Sequence, residues 1–368
     1  MIKNCYIHIP FCKSICTYCD FSKMYYDEGM VQSYLNALKR EIESIYQGEI
    51  LDTIYIGGGT PLCLSLDELK ELFDILSIFN KSKEIEFTIE GNIESITKEK
   101  LIFLKEQGVN RLSIGIETID SNLLKYLGRS IDKNQVKDVI SMAREIGFSN
   151  INVDLMYAIP GEDISTLKKD LDFLLTLDVE HISTYSLMIE DHTLLKIKNQ
   201  KNISEELDEE MYQLICDTLK NKDYIHYEIS NFCKDGYSSI HNLCYWNNLN
   251  YYGFGLGASS YIIDKRITNT RSFQKYLSNQ FIKEVEIVSR KENIEYQVLL
   301  NLRKKEGISF LEFKKRFLLD FEDVYDYSSL IEEGFLKLMD HHLFIPEEKW
   351  YISNEIIVRL LGSEVYEE

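Results

Sequence analysis

Short runs of β-branched and aromatic residues recur through the first half of the chain, and each is followed by a stretch whose apolar positions return every three or four residues. The runs at 6–9, 53–56, 86–89, 111–116, 152–156 and 181–187 read as strands. Helical spacing follows near 30–47, 66–79, 97–107, 134–146 and 163–177. In the second of these, Leu69, Leu72, Phe73 and Leu76 share one face. Thr97 stands where a capping hydroxyl belongs, ahead of Leu101 and Leu104. This alternation predicts parallel strands joined by right-handed crossovers. It stops near residue 187, so the expected fold is α/β, a partial (β/α)6 barrel rather than a closed eightfold one.

In such barrels the reactive groups gather at the C-terminal strand ends. Read in order, those ends carry Gly57-Gly58-Gly59-Thr60-Pro61, Glu90, Glu117, Asp154 and Tyr185-Ser186. Polar or glycine residues thus follow apolar strands at most ends, forming a ring of candidate ligand contacts.

Beyond the barrel pattern, 204–222 reads as a helix with Leu207, Met211, Leu214, Ile215 and Leu219 on its apolar side. Composition shifts again near residue 290. Helical stretches at 294–303, 309–317 and 327–338, followed by strand-like runs at 344–345 and 350–352, suggest a small winged-helix-like domain. The expected organisation is a barrel core at 1–190, an α/β extension at 191–290 closing the barrel mouth, and the winged-helix-like domain at 291–368.

Charge narrows the function classes. The net charge of −19 opposes broad contact with nucleic acid, and the mixed charge of the last domain points to scaffolding or partner contact. No apolar run is long enough to span a bilayer and the first residues do not read as a signal peptide, so a cytoplasmic protein is expected.

Of the eight cysteines, Cys12, Cys16 and Cys19 crowd into eight residues, whereas Cys5, Cys63 and Cys216 are isolated and read as core residues. Cys233 and Cys244 lie near a segment taken up below. A tight cluster in a large cytoplasmic chain reads as metal binding. Three thiolates can hold three irons of an iron–sulfur cluster and leave the fourth open to a small molecule. Structural zinc is the competing reading, but it wants a fourth ligand, for which His8 is the nearest candidate.

Several motifs together carry a family resemblance. They are Tyr6-Ile7-His8-Ile9-Pro10-Phe11-Cys12, the three-cysteine spacing with Tyr18 and Asp20-Phe21, Gly57 through Pro61, and Gly108-Val109-Asn110-Arg111-Leu112-Ser113-Ile114-Gly115. Leu127-Gly128-Arg129, Asn152-Val153-Asp154 and Ile159-Pro160-Gly161 follow in order. The chain resembles the radical S-adenosylmethionine (SAM) proteins related to oxygen-independent coproporphyrinogen oxidase, and within them the HemW, or haem-chaperone, branch. The resemblance covers nearly the whole chain.

It implies a radical SAM barrel holding a [4Fe–4S] cluster on Cys12, Cys16 and Cys19, with SAM chelating the open iron and cleaved reductively there. It also implies SAM contacts at Tyr6, Tyr18, Gly58, Gly59, Thr60, Glu90, Glu117, Arg129 and Asp154. His241-Asn242-Leu243-Cys244-Tyr245-Trp246 matches the family's His-Asn-x-x-Tyr-Trp segment, which implies haem contact through His241, Tyr245 and Trp246. The alternative is that the segment simply packs. The implied partners are a haem or porphyrin ligand, a haemoprotein acceptor and an electron donor for the cluster; a homodimer is compatible with the family.

Departures from the family pattern bear on function. The oxidase proper carries a fourth cysteine two residues after the third, where this chain has Phe21. The usual glutamine after the fourth strand is Glu117, Glu90-Gly91-Asn92-Ile93 replaces Glu-Ala-Asn-Pro, and Ser130-Ile131-Asp132 lacks the usual histidine. Delivery of haem to haemoproteins is the leading expectation. Oxidative decarboxylation of coproporphyrinogen III and a methylase or tailoring reaction are the alternatives.

Overall fold

The computed structural model describes residues 1–364. Two compact units are present: Met1–Thr218 with Asn250–Ile287, and Leu219–Leu249 with the chain from Val288 on. The stretch 191–290, which the sequence suggests as one extension, is therefore divided between them.

The first unit is built on a parallel sheet. Its strands are β1 (Asn4–Ile9), β2 (Ile50–Gly58), β3 (Asn80–Asn92), β4 (Arg111–Glu117), β5 (Ile151–Tyr157), β6 (His181–Ser186) and β7 (Tyr252–Phe254). They lie in the order β7-β1-β2-β3-β4-β5-β6, every neighbouring pair parallel. Helices α1 (Glu28–Ile45), α2 (Leu66–Leu76), α3 (Lys98–Glu106), α4 (Ser121–Leu127), α5 (Lys133–Ile146) and α6 (Ile164–Leu175) fill the crossovers. Leu69, Leu72, Phe73 and Leu76 are buried, and Thr97 caps α3 by accepting from the Lys100 amide. The six sequence-predicted strands and five helices thus form, with α4 and β7 added. Both additions are short, and β7 has a glycine at its centre, so neither shows a periodic signal. That glycine is required: a Cβ at Gly253 would run into the Ser259 backbone.

After β7 the chain makes an antiparallel meander, Ser259–Ile262, Lys265–Asn269 and Ile282–Ile287. Buried Glu41 on α1 pins it, accepting from the Gly255 amide at 2.8 Å, from Asn269 and from the Tyr276 hydroxyl. Desolvation lifts the Glu41 carboxyl to about 7, although these three donors pull it down.

The second unit contains the helices Arg290–Asn301, Phe310–Phe317 and Ser328–Glu332 and a three-stranded antiparallel sheet of Ile308–Ser309, His342–Phe344 and Lys337–Met339. Two expectations need correction. The stretch 327–338 is not one helix, because Gly334, at φ +77°, turns the chain into a strand. Residues 350–352 are not a strand: Glu347–Ile352 is a 3₁₀ turn that buries Trp350, whose indole N–H donates to the Ile345 carbonyl at 2.9 Å. The closing helix Ser353–Leu361 sends Ile356, Ile357 and Leu360 into the same core. Among the described residues no helix is long and apolar enough to cross a membrane.

Candidate functional site

The C-terminal ends of β2 to β6 surround a cavity of about 290 Å³. Cys12, Cys16 and Cys19 line it from one side, with Tyr18, Gly58, Gly59, Thr60, Glu90, Glu117, Arg129 and Asp154. Of the residues the sequence nominated for cluster and SAM, Tyr6 alone is absent from this lining. Its hydroxyl instead meets His8 Nδ1 at 3.0 Å and its ring stacks on Tyr55.

The cysteine loop is fastened from several directions. Helix α4 ends at Gly128, at φ +77°, and its last carbonyls would otherwise lack partners. Thr17 uses two of them, its amide donating to Leu127 at 3.0 Å and its hydroxyl to Tyr126 at 2.9 Å. The same left-handed glycine turns Arg129 back toward the end of β4. Beneath the loop, Tyr18 packs on an apolar cluster formed by Leu123, Leu127, Met156, Ile159, Leu187 and Leu195. His8 Nε2 meets the Ser22 carbonyl at 2.7 Å on the far side. With both ring nitrogens engaged, His8 is a support for the loop and not a fourth ligand; burial lowers its pKa to about 4, so it stays neutral.

Glycines clear the space above β2. A Cβ on Gly59 would lie 2.7 Å from the Phe11 carbonyl and 2.8 Å from Cys12 Sγ, and one on Gly57 would lie 2.9 Å from the Glu90 carboxylate. Thr60 donates to Cys12 Sγ at 3.8 Å while accepting from Asn92 Nδ2 at 3.3 Å. Glu90 is held by the Tyr55 hydroxyl at 2.8 Å and the Gly58 amide at 3.0 Å.

Glu117 sits in a bulge at the end of β4 with φ +64°, a left-handed conformation that side chains rarely adopt. An ion pair with Arg129 and a 3.1 Å hydrogen bond from the Tyr18 hydroxyl hold it there. Arg129 also donates to the Gly115 carbonyl at 3.0 Å. The negative charge at position 117 is therefore matched within the protein and tied to the cysteine loop. Asp154 accepts from Asn152 Nδ2 at 2.8 Å. Desolvation, then the neighbouring Glu117 and Glu90, lift it to about 7. Burial raises Glu90 and Glu117 as well.

Three thiols in one cavity suit soft iron–sulfur ligation. Cys12, Cys16 and Cys19 are free, and burial pushes Cys12 and Cys16 up to about 11, so both are thiols until a metal claims them. Among the described residues no three His, Cys, Asp or Glu side chains converge on a point that a single ion could occupy. A cluster asks for something else, since each cysteine takes a different iron. Three thiols lining one cavity and the Cβ-free cradle at Gly59 beside Cys12 Sγ fit that demand.

Sequence reasoning missed Lys23, Asn92, Ser113 and Met156, which also line the cavity. Period-two counting along the strands would have found three of them: Asn92 from Glu90, Met156 from Asp154, and Ser113 from the glycine at 115. His241, Tyr245 and Trp246 lie elsewhere, on the helix Ile240–Trp246 of the second unit. There His241 is buried with Nε2 2.8 Å from the Tyr245 hydroxyl, and Asn301 donates to the Trp246 carbonyl at 2.7 Å.

Residues 6–174 match the Radical SAM superfamily, and 288–352 match the HemN C-terminal domain. The heme chaperone HemW of Lactococcus lactis subsp. lactis (strain IL1403) is 35% identical over 99% of this chain and 98% of its own length. That of Bacillus subtilis (strain 168) is 37% identical over 98% of this chain and 100% of its own. The chain belongs to the HemW family of radical SAM proteins. Among solved structures, coproporphyrinogen III oxidase (HemN) from Escherichia coli superposes with a TM-score of 0.85 at 19% identity, covering 97% of this chain and 89% of that one. This HemW-family chain therefore has the α/β radical SAM fold with a HemN-type C-terminal domain.

Proposed function

We propose that this protein is a haem chaperone that holds a [4Fe–4S] cluster and SAM in the first unit and binds haem for delivery to a haemoprotein. The observation that carries the reading is full-length identity to curated heme chaperones, together with three free thiols lining the cavity at the strand ends. Cys12, Cys16 and Cys19 hold the cluster, which when bound supplies reductive cleavage of SAM. Gly58 and Gly59 let the ligand approach the backbone. Glu90 and Asp154 offer negative charge to a ligand bearing a sulfonium and an ammonium group. Arg129 and Tyr18 keep Glu117 oriented. Tyr6 acts through His8 as a support of the cysteine loop.

Haem is assigned to His241, Tyr245 and Trp246, since imidazole is a natural haem-iron ligand and the two aromatic rings offer flat apolar surface. Ligation would require His241 Nε2 to exchange its Tyr245 partner for iron. The oxidase reading is weaker because Phe21 stands at the position of the fourth cysteine and lines the cavity.

The test is anaerobic. Protein reconstituted with iron and sulfide is reduced and given SAM with haem, or SAM with coproporphyrinogen III. The expected result is 5′-deoxyadenosine, haem binding that weakens in His241→Ala, and no decarboxylated porphyrin. Porphyrin turnover would replace the chaperone reading with an oxidase, and unchanged haem binding in the variant would remove His241 from the account.

A further inference from the structure

The cavity wall is short of free positive charge. Three half-buried carboxylates, Glu90, Glu117 and Asp154, face it, and Arg129 is committed to Glu117 and the Gly115 carbonyl. The remaining cation in the lining is Lys23, four residues beyond Cys19. Its ammonium donates to the carbonyl of Cys19 itself and, at 3.4 Å, to that of Phe21. These acceptors are backbone groups of the cysteine loop, so they fix the position of the charge without cancelling it. The ammonium is thus anchored to the backbone of the loop that carries the three cysteines, and it lines the same cavity as their thiols. Asp20, the nearest acid along the loop, lies 4.0 Å from Arg271.

We infer that Lys23 is a tuning residue that raises the reduction potential of the cluster held by Cys12, Cys16 and Cys19. This rests on the cluster reading above and goes beyond it. Reduction adds one negative charge to the cluster. A cation fixed on the cysteine loop, in the wall of the cavity that the three thiols line, stabilises the reduced state more than the oxidised one. Glu90 and Asp154 across the cavity work the other way. Without Lys23 they would make the cluster harder to reduce, and electron entry precedes any chemistry on SAM. Lys23 acts through the cluster and does not need to touch SAM or a substrate.

The experiment is an anaerobic redox titration of reconstituted full-length protein, following the electron paramagnetic resonance signal of the reduced cluster, with iron and sulfide counted in each sample. Lys23→Gln and Lys23→Met are expected to titrate at a more negative potential than the wild type at equal iron content. Lys23→Arg keeps the charge and is expected to titrate close to the wild type. Equal potentials in wild type, Lys23→Gln and Lys23→Met overturn the inference. It also falls if Lys23→Arg shifts as far as Lys23→Gln, because loop geometry rather than charge would then be responsible. Loss of the cluster from Lys23→Gln and Lys23→Met with the fold intact would make Lys23 an assembly residue instead. A wild-type protein that takes up no cluster refutes the cluster reading itself, a result that equal potentials would not give.

Discussion

Arg129→Met removes one member of a pair buried on both sides, with side-chain exposures of 3% for Arg129 and 12% for Glu117. Breaking such a pair costs about 3–5 kcal/mol, because a charge is left without compensation. The Gly115 carbonyl loses its donor at the same time. Glu117 has one escape, which is to take up a proton. Burial already holds its carboxyl above the usual range against the pull of Arg129, and without the guanidinium it rises further. The loss relative to the wild type should therefore grow as pH climbs above the usual carboxylate range, because the unfolded chain gives up this proton while the folded variant keeps it. The full cost corresponds to a fall in melting temperature of roughly 10 °C for a unit of this size. Glu117→Gln leaves Arg129 charged but keeps an oxygen acceptor beside it, and is expected to cost about 1–3 kcal/mol. The double variant holds no lone charge, and should recover about 2 kcal/mol relative to the sum of the single losses. Urea denaturation of the metal-free protein across a pH series from the carboxylate range upward, followed by circular dichroism, measures all four chains. Additive losses, or a loss in Arg129→Met that does not change with pH, would refute the argument that Glu117 is charged and matched by Arg129.

Other variants probe the rest of the site. Gly59→Ala places a methyl group against the Phe11 carbonyl and Cys12 Sγ, so about 1–3 kcal/mol of overpacking is expected, with lower iron content after reconstitution; unchanged iron and stability would show that the loop yields freely. Asp154 titrates at about 7 in the ligand-free chain, so its charge is mostly absent at pH 6 and mostly present at pH 8. A cationic ligand should then bind more tightly as pH rises across that window, by at most about tenfold per pH unit, and Asp154→Asn should flatten the rise in a calorimetric titration with SAM. Glu162 is buried, has one oxygen without a partner among the described residues, and is lifted by desolvation to about 8. Its contribution to stability is present at pH 4.5 and lost as pH rises toward 8, a change on the order of a few kcal/mol. Glu162→Gln should flatten that part of the profile, and an unchanged slope would assign it to Asp170 or Glu41 instead.

The barrel was legible because each of its strands pairs with parallel neighbours on both sides, or nearly so, and such strands need continuous apolar runs that stand out from helical spacing. The strand-end groups were legible for the same reason, since the first polar residue after each run marks where the cavity begins. What escaped was set by long-range contacts. Strand β7 is three residues long and pairs with β1 at the other end of the chain, so neither length nor periodicity announces it. Tyr6 lies on a strand that borders the cavity, yet His8 claims its hydroxyl. Lys23 was hidden because a lysine four residues past a cysteine carries no pattern of its own. Its place follows only once the loop folds back and offers two carbonyls in one direction.

The substitution of Glu117 for glutamine looks, along the sequence, like an added negative charge beside the ligand. The structure shows why it need not act as one. A bare carboxylate at the end of β4 would sit in a cavity that already holds Glu90 and Asp154, and each would push the others toward protonation. Arg129 and Tyr18 absorb that charge locally, and Tyr18, next to Cys19, thereby ties the strand end to the cysteine loop. The strained backbone at Glu117, which costs about 1–3 kcal/mol, is held in place by these same contacts. A neutral glutamine would accept from Arg129 but would leave the guanidinium buried without a counter-charge. The carboxylate at 117 therefore serves the geometry of the cysteine loop more than the charge seen by the ligand, and that charge is left to Glu90 and Asp154 on one wall and Lys23 on the other.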